Sequence, residues 1–327
     1  MDPLIGSIQL EEKTLPEDFL QNSFAEEATL EHLKKAPAST FFRVIKDLFQ
    51  LTKPRLSSLV IFTMSTGIFL AFGSISFPAS LLAVLATFGI IGASNTFNMV
   101  FDRNIDTLMD RTKSRPIPSG RLSSTIALQF GFLLLAISLP VLYLSSNLLT
   151  TALGALACFL YACVYTPLKI KTPIAVYIGA IPGAMPMLMG YTAVTNQIDG
   201  LGLSLFAILL VWQLPHFLSI ALNLAPDYQR ANVQVYPVAI GPQKTRYLLV
   251  LFSGVFWGTT FLPLLFSSAG WLYFTVANLL GLSFLWGSLL CLKSSKYERP
   301  YFLGTLLYLP ALLLTLIFEV HYLNRIF

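Results

Sequence analysis

The sequence predicts an all-α, polytopic membrane protein, and three observations carry that expectation. Hydrophobic residues make up 55% of the 327 and charged residues only 11%, where soluble domains carry about 25% charged. Mean hydropathy is +0.70. The apolar residues gather in about nine stretches (56–72, 77–97, 126–144, 148–165, 174–194, 203–222, 247–265, 271–290 and 301–320), each close to the length needed to cross a bilayer as a helix.

Basic residues support the same layout. They flank the first stretch (Lys46, Lys53, Arg55) and follow the second (Arg103, Arg111, Lys113, Arg115, Arg121), the fourth (Lys169, Lys171), the sixth (Arg230, Lys244, Arg246) and the eighth (Lys293, Lys296, Arg299). Connections near Ser74, Ser146, Gln197 and Ser268 have no Lys or Arg. The positive-inside rule then places the N-terminus and every basic connection in the cytoplasm, with an odd number of crossings. The net charge of +5 reflects this topology, so nucleic acid is not an expected partner.

Taken in order, residues 1–38 read as an acidic, partly disordered cytoplasmic tail and residues 39–327 as the membrane domain. Asp2, Glu11, Glu12, Glu17, Asp18, Glu26, Glu27 and Glu31 make the tail unlike an acid-poor transit peptide. From Ser39 to Leu51, Phe41, Phe42, Val44, Ile45, Leu48 and Phe49 alternate with Arg43, Lys46 and Asp47. That pattern suits a helix lying on the membrane surface. Pro140, Pro182, Pro186, Pro215, Pro263 and Pro310 fall inside the stretches, where neighbouring helices re-satisfy the freed backbone. Cys158, Cys163 and Cys291 lack metal-ligand spacing and read as packing residues.

Beyond residue 50 only seven acids remain: Asp102, Asp106, Asp110, Asp199, Asp227, Glu298 and Glu319. Asp199, Glu298 and Glu319 sit near helix ends or in loops and read as solvated charges. A carboxylate within a membrane helix costs about 2.5–3.5 kcal/mol, so the others are functional candidates. Asn98, Asp102, Asp106 and Asp110 recur every fourth residue. Each such step rotates a helical side chain by only about 40°, so the first three fan over about 80° of one face. Asp110 continues the fan only if the helix persists. A column of hard oxygens suits Mg²⁺, which binds one or two carboxylates plus substrate phosphates. Arg103 lies within the column, and Arg111, Lys113 and Arg115 follow with cations suited to phosphate.

A second region lies in the sixth stretch, Trp212-Gln213-Leu214-Pro215-His216-Phe217, leading to Asp227-Tyr228-Gln229-Arg230. Pro215 favours a kink that opens space for a ligand. Asp227 and Arg230 read either as a loop ion pair or as a second metal and diphosphate contact. Both charged regions follow stretches four apart, which suggests two loops covering one cavity from the same side.

These residues resemble the UbiA superfamily of intramembrane prenyltransferases, and within it the protoheme IX farnesyltransferase (heme O synthase) family. The likeness runs from about Leu51 to Phe318. It is carried by Asn98 to Pro116 with Gly120-Arg121, by Tyr165-Thr166-Pro167-Leu168-Lys169 through Pro186 and Gly190, and by Trp212 to Phe217 with Asp227-Tyr228 and Pro237. The resemblance implies a UbiA-type bundle of about nine transmembrane helices around a central cavity open laterally to the membrane. It implies Mg²⁺-dependent transfer of farnesyl from farnesyl diphosphate to a vinyl group of heme B. The setting implied is a bacterial inner membrane, with a heme A synthase or terminal oxidase assembly receiving the product.

By the same resemblance Asn98, Asp102 and Asp106 hold metal and diphosphate, with Asp110 as a further metal ligand and Asp227 as the acid of the second motif. Arg111, Lys113, Arg115, Lys169 and Arg230 are expected to engage diphosphate, with Arg103 and Tyr228 as further substrate contacts. His216 is expected at the substrate, where contact with the heme iron, with a propionate or with the attacking water all stay open. Two alternatives remain: a prenyltransferase acting on an aromatic quinone precursor, and an ion-coupled transporter. Transporters more often place their acids near the bilayer midplane at broken helices.

Overall fold

Helices account for all regular structure in the computed structural model, which describes residues 38–267 and 269–321. The chain divides between Lys46 and Asp47 into two compact units. The expected acidic tail lies almost wholly outside the described residues. Helix α1 (Ala38–Leu51) takes the place of the expected surface helix. Its first turns, in the N-terminal unit, expose Phe41, Phe42 and Ile45.

The second unit holds α2 (Pro54–Leu70), α3 (Phe77–Phe101), α4 (Ser124–Ser145), α5 (Leu148–Leu168), α6 (Ala175–Thr195), α7 (Gly200–Asn223), α8 (Pro242–Thr259), α9 (Trp271–Lys293) and α10 (Glu298–His321). Caps explain the sharp starts. Side-chain oxygens of Ser76, Ser123, Asn147 and Asp199 accept the N–H of Ala79, Ile126, Thr150 and Gly202, each satisfying a donor that the first turn leaves open. Pro residues at the starts of α2, α3 and α8 lose no hydrogen bond there.

Among the described residues seven helices are long and apolar enough to cross a membrane: α3, α4, α5, α7, α9 and α10, and α8 with its extension to Phe266. The other two expected stretches also fold as helices. Of these, α2 has a shorter apolar run, Ser57–Leu70. In α6, Gly, Pro, Tyr and Thr dilute the apolar residues, yet the helix is buried over most of its length. A helix enclosed by other helices does not need an apolar surface toward lipid.

Close packing of α2 on α6 depends on two glycines. A Cβ on Gly190 would lie 2.0 Å from the Met64 carbonyl oxygen, and one on Gly67 would lie 2.2 Å from that of Met187. Small residues of this kind let membrane helices approach backbone to backbone. A wider turn interrupts α5 at Leu160–Tyr165. Pro167 lies just beyond it and has no N–H for the ladder; the Tyr161 carbonyl accepts both the N–H and, at 2.8 Å, the hydroxyl of Thr166.

Two acids expected to be solvated are buried, at 8% exposure for Glu298 and 2% for Glu319. Glu298 pairs with Arg246 at 2.8 Å. Glu319 accepts the N–H groups of Leu272 and Tyr273 at 3.0 and 2.8 Å, so it caps α9 from another helix. Sequence position placed both near helix ends but gave no sign of partners this far along the chain.

Gly190→Ala should lower the midpoint of thermal unfolding in detergent by roughly 5 °C, as overpacking in a core does. Gly304→Ala, where a Cβ meets nothing within 4 Å, should leave it unchanged. Fluorescence-detected size exclusion after heating compares the two.

Candidate active site

The acidic column keeps its helical register for as long as the backbone does. The N–H of Asp102 donates to the Asn98 carbonyl at 2.9 Å, and that of Asp106 to the Asp102 carbonyl at 2.8 Å. A short helical turn, Arg103–Asp106, follows α3. Asn98, Asp102 and Asp106 are 2%, 4% and 1% exposed. Beyond Thr107 the register is lost, and Asp110 points away as an exposed side chain. The fan therefore has three members.

Around these three lies an inner cluster. Asn98 Nδ2 donates to Asp102 Oδ2 at 2.9 Å and to Thr166 Oγ1 at 3.0 Å, while its Oδ1 accepts from Lys53 Nζ at 2.8 Å. Lys169 pairs with Asp102. Arg115 Nη1 meets Asp106 Oδ2 at 2.7 Å. Arg115 and Lys169 thus balance the two carboxylates, and the Lys53 amine adds a third basic group that suits a polyanion.

Lys53 is the residue that sequence reasoning missed as a site member. It connects α1 to α2 in a left-handed conformation, φ 50°, which is costly for a side chain with a Cβ and is stored most often at functional sites. Burial first, then Arg115 and Lys169, pull its pKa down to about 7, against the opposing pull of Asp102 and Asp106. Thr166 was inside a quoted motif but carried no assigned role. Nothing local to either residue marks it, because their partners lie 45 and 68 positions away.

Arg115 is held in turn by the loop that carries it. Arg121 Nε donates to both Asp47 carboxylate oxygens at 3.2 Å, and Nη1 donates to the Ser114 carbonyl at 3.1 Å. Thr112 donates to the Asp106 carbonyl at 2.9 Å.

Asp110, Lys113, Asp227 and Arg230 form an outer cluster, exposed except for half-buried Asp227. Asp110 pairs with Lys113 at 2.7 Å and with Arg230 at 2.8 Å, and Arg230 also pairs with Asp227. These cations hold the Asp110 carboxyl below its ordinary range. Exposed pairs of this kind add little stability, yet Asp110 with Arg230 joins the loop after α3 to the loop after α7. Arg103 and Arg111 are exposed. Tyr228 lines a small cavity of about 90 Å³ with Tyr165, Lys169 and Phe217.

Next to the inner cluster is an apolar cavity of about 230 Å³ whose walls include Val60, Ile91, Tyr161, Pro186, Trp212 and His216. Tyr161 connects the two, since its carbonyl accepts the Thr166 hydroxyl. His216 is 8% exposed, stacks on Trp212 with ring centres 4.6 Å apart, and places Nδ1 2.7 Å from Thr305 Oγ1.

Residues 60–318 match the UbiA prenyltransferase family. The chain belongs to this family. It is similar to the protoheme IX farnesyltransferase of Myxococcus xanthus, 45% identical over 281 residues, covering 85% of this chain and 95% of that one. The enzyme of the same description from Anaeromyxobacter dehalogenans is 39% identical, covering 83% and 93%. Among UbiA-type structures, that of a digeranylgeranylglyceryl phosphate synthase superposes with a TM-score of 0.71 at 20% identity, over 84% of this chain and 97% of that one. A UbiA homologue from Archaeoglobus fulgidus, solved with GPP and Mg²⁺, gives a TM-score of 0.58 at 16% identity, over 83% and 99%. Both structures share the fold with this chain.

The donor set fits a divalent metal. Asp102 Oδ1 is buried without a hydrogen-bond partner, and an orphaned carboxylate oxygen is expensive unless a cation completes it. Among the described residues no three His, Cys, Asp or Glu side chains converge.

Asp102→Asn should lower Mg²⁺-dependent prenyl transfer about 100-fold, while Asp110→Asn should change it less than about 3-fold, as expected of an exposed pair. Initial rates across a MgCl₂ series measure both. Lys53→Met should raise the KM for prenyl diphosphate about tenfold, the worth of one charged hydrogen bond.

Proposed function

We propose that this UbiA-family enzyme transfers the farnesyl group of farnesyl diphosphate to a vinyl group of protoheme IX (heme B), giving heme O and diphosphate. One observation carries the reading: the charged inner cluster adjoins an apolar cavity walled by Trp212, Gln213, His216 and Phe217, in a chain 45% identical to a protoheme IX farnesyltransferase.

The chain's own groups account for the chemistry as follows. Lys53, Arg115 and Lys169 neutralise the diphosphate and stabilise the charge that grows as the allylic C–O bond breaks. Asn98, Asp102 and Asp106 would hold Mg²⁺, which when bound supplies further positive charge against the leaving group. The apolar wall keeps water from the allylic cation. The vinyl carbon attacks, forming the new C–C bond. One water then adds its oxygen to the porphyrin-side cation and releases a proton, so the atoms balance.

The cavity volume of about 230 Å³ is below the roughly 300–1,000 Å³ of ligand sites. Binding both substrates therefore requires the cavity to widen. Topology supports entry of diphosphate from the cytoplasm, with the enzyme in the bacterial inner membrane and its N-terminus inside. The onward recipient of the product, a heme A synthase or a terminal oxidase in assembly, belongs to the same proposal.

Incubating purified protein with heme B, an aromatic acid of the quinone-precursor type, farnesyl diphosphate and Mg²⁺ should yield a porphyrin heavier by one farnesyl and one hydroxyl group, added across a vinyl double bond, as read by mass spectrometry. An unchanged heme alongside a prenylated aromatic acid would refute the acceptor and favour the quinone-precursor alternative.

A further inference from the structure

We infer that His216 is an axial ligand of the acceptor's iron, and that Thr305 sets the tautomer that makes it one. The inference rests on the heme reading above and goes on to name which atom holds the metalloporphyrin.

The hydroxyl of Thr305 donates to the Phe302 carbonyl at 2.6 Å. Its one proton is thereby used, so toward His216 Thr305 Oγ1 acts as acceptor. Nδ1 of His216, 2.7 Å away, must then carry the ring proton, and Nε2 keeps its lone pair. No described residue makes a hydrogen bond to Nε2, while His216 is part of the cavity wall. An imidazole whose far nitrogen is tied to an oxygen is the arrangement that orients a metal-binding histidine.

The ring is also fixed in direction. It lies between Trp212, with planes 16° apart at 4.6 Å, and Phe302, with planes 30° apart at 5.5 Å. Trp212 Nε1 donates to the Thr305 carbonyl at 3.0 Å, so both members of the stack are anchored on the same residue of α10. Pro215, one residue before His216, sits within α7 and loosens the ladder at this level.

Chemistry selects iron over the other roles. The cavity wall contains no Cys, Met, Asp, Glu, Lys or Arg, and His216 is its one imidazole. A propionate would call for a cation, which that wall lacks. A general base is usually strengthened by a carboxylate at its second nitrogen, whereas here the partner is a neutral hydroxyl. Neutral imidazole is a good ligand for iron.

The test uses full-length protein in nanodiscs, titrated with heme B in the absence of farnesyl diphosphate. Wild type should show a histidine-ligated heme by magnetic circular dichroism and electron paramagnetic resonance. It should bind heme B about tenfold or more tightly than metal-free protoporphyrin IX. His216→Ala should lose the signature and the preference, and added imidazole should restore both. Thr305→Val should weaken heme binding several-fold and leave protoporphyrin binding unchanged. Identical spectra and the same heme-to-protoporphyrin ratio in His216→Ala and wild type would overturn the ligation. If wild type still farnesylates heme in that case, only the role of His216 is lost. If wild type neither binds nor farnesylates heme, the acceptor reading falls with it.

Discussion

Two carboxylates buried in an apolar bundle cannot stay charged without partners, and the arrangement around Asp102 and Asp106 follows from that constraint. Removing an ion from water costs several kcal/mol even after relaxation, and a single missing partner leaves most of that cost in place. Arg115 answers Asp106 and Lys169 answers Asp102. Asn98 holds Asp102 Oδ2 from one side and Lys53 from the other. What remains unanswered is Asp102 Oδ1. The cluster is satisfied as a scaffold and unsatisfied at the one atom where a metal and its substrate would enter.

These partners come from different parts of the chain: the turn before α2, the loop after α3, and the end of α5. Alternating topology makes this possible, because every second connection returns to the same face. The wide turn at Leu160–Tyr165 then orients Thr166 and Lys169 toward Asn98 and Asp102. Turns of this kind inside helices recur at functional sites. A second group, Asp110, Lys113, Asp227 and Arg230, joins the loops after α3 and α7.

Helices and the alternation of basic loops were legible in sequence because hydropathy and charge are local properties. Asn98, Asp102 and Asp106 were legible for a related reason, since four-residue spacing becomes a face wherever the helix continues. Asp110 has the same spacing, but hydrogen bonding after Thr107 no longer follows the helix, and sequence did not locate that end. Lys53 looked like one more topological charge. Its contact with Asn98 depends on a left-handed turn and on packing across 45 residues. Glu298 and Glu319 were misread for the same reason, each being buried against a partner far along the chain. In α6 the opposite holds: its Gly and Pro residues make it look like a weak membrane segment, although Gly190 is what lets α2 lie against it.

The pairing of Lys169 with Asp102 has a consequence for synthesis of the protein. Arg115 follows Asp106 by nine residues and is available almost as soon as the acid is made. Lys169 comes 67 residues after Asp102, with α4 and α5 still to be inserted. At about 5–20 residues per second, ribosomal elongation leaves Asp102 without its lysine for roughly 3–13 s. During that interval the nascent hairpin of α2 and α3 depends on Lys53, already made, or on the water-filled path of the insertion machinery to shelter the charge. Ribosome pausing in this window would prolong the chain's exposure to membrane quality control, without any change in the finished enzyme.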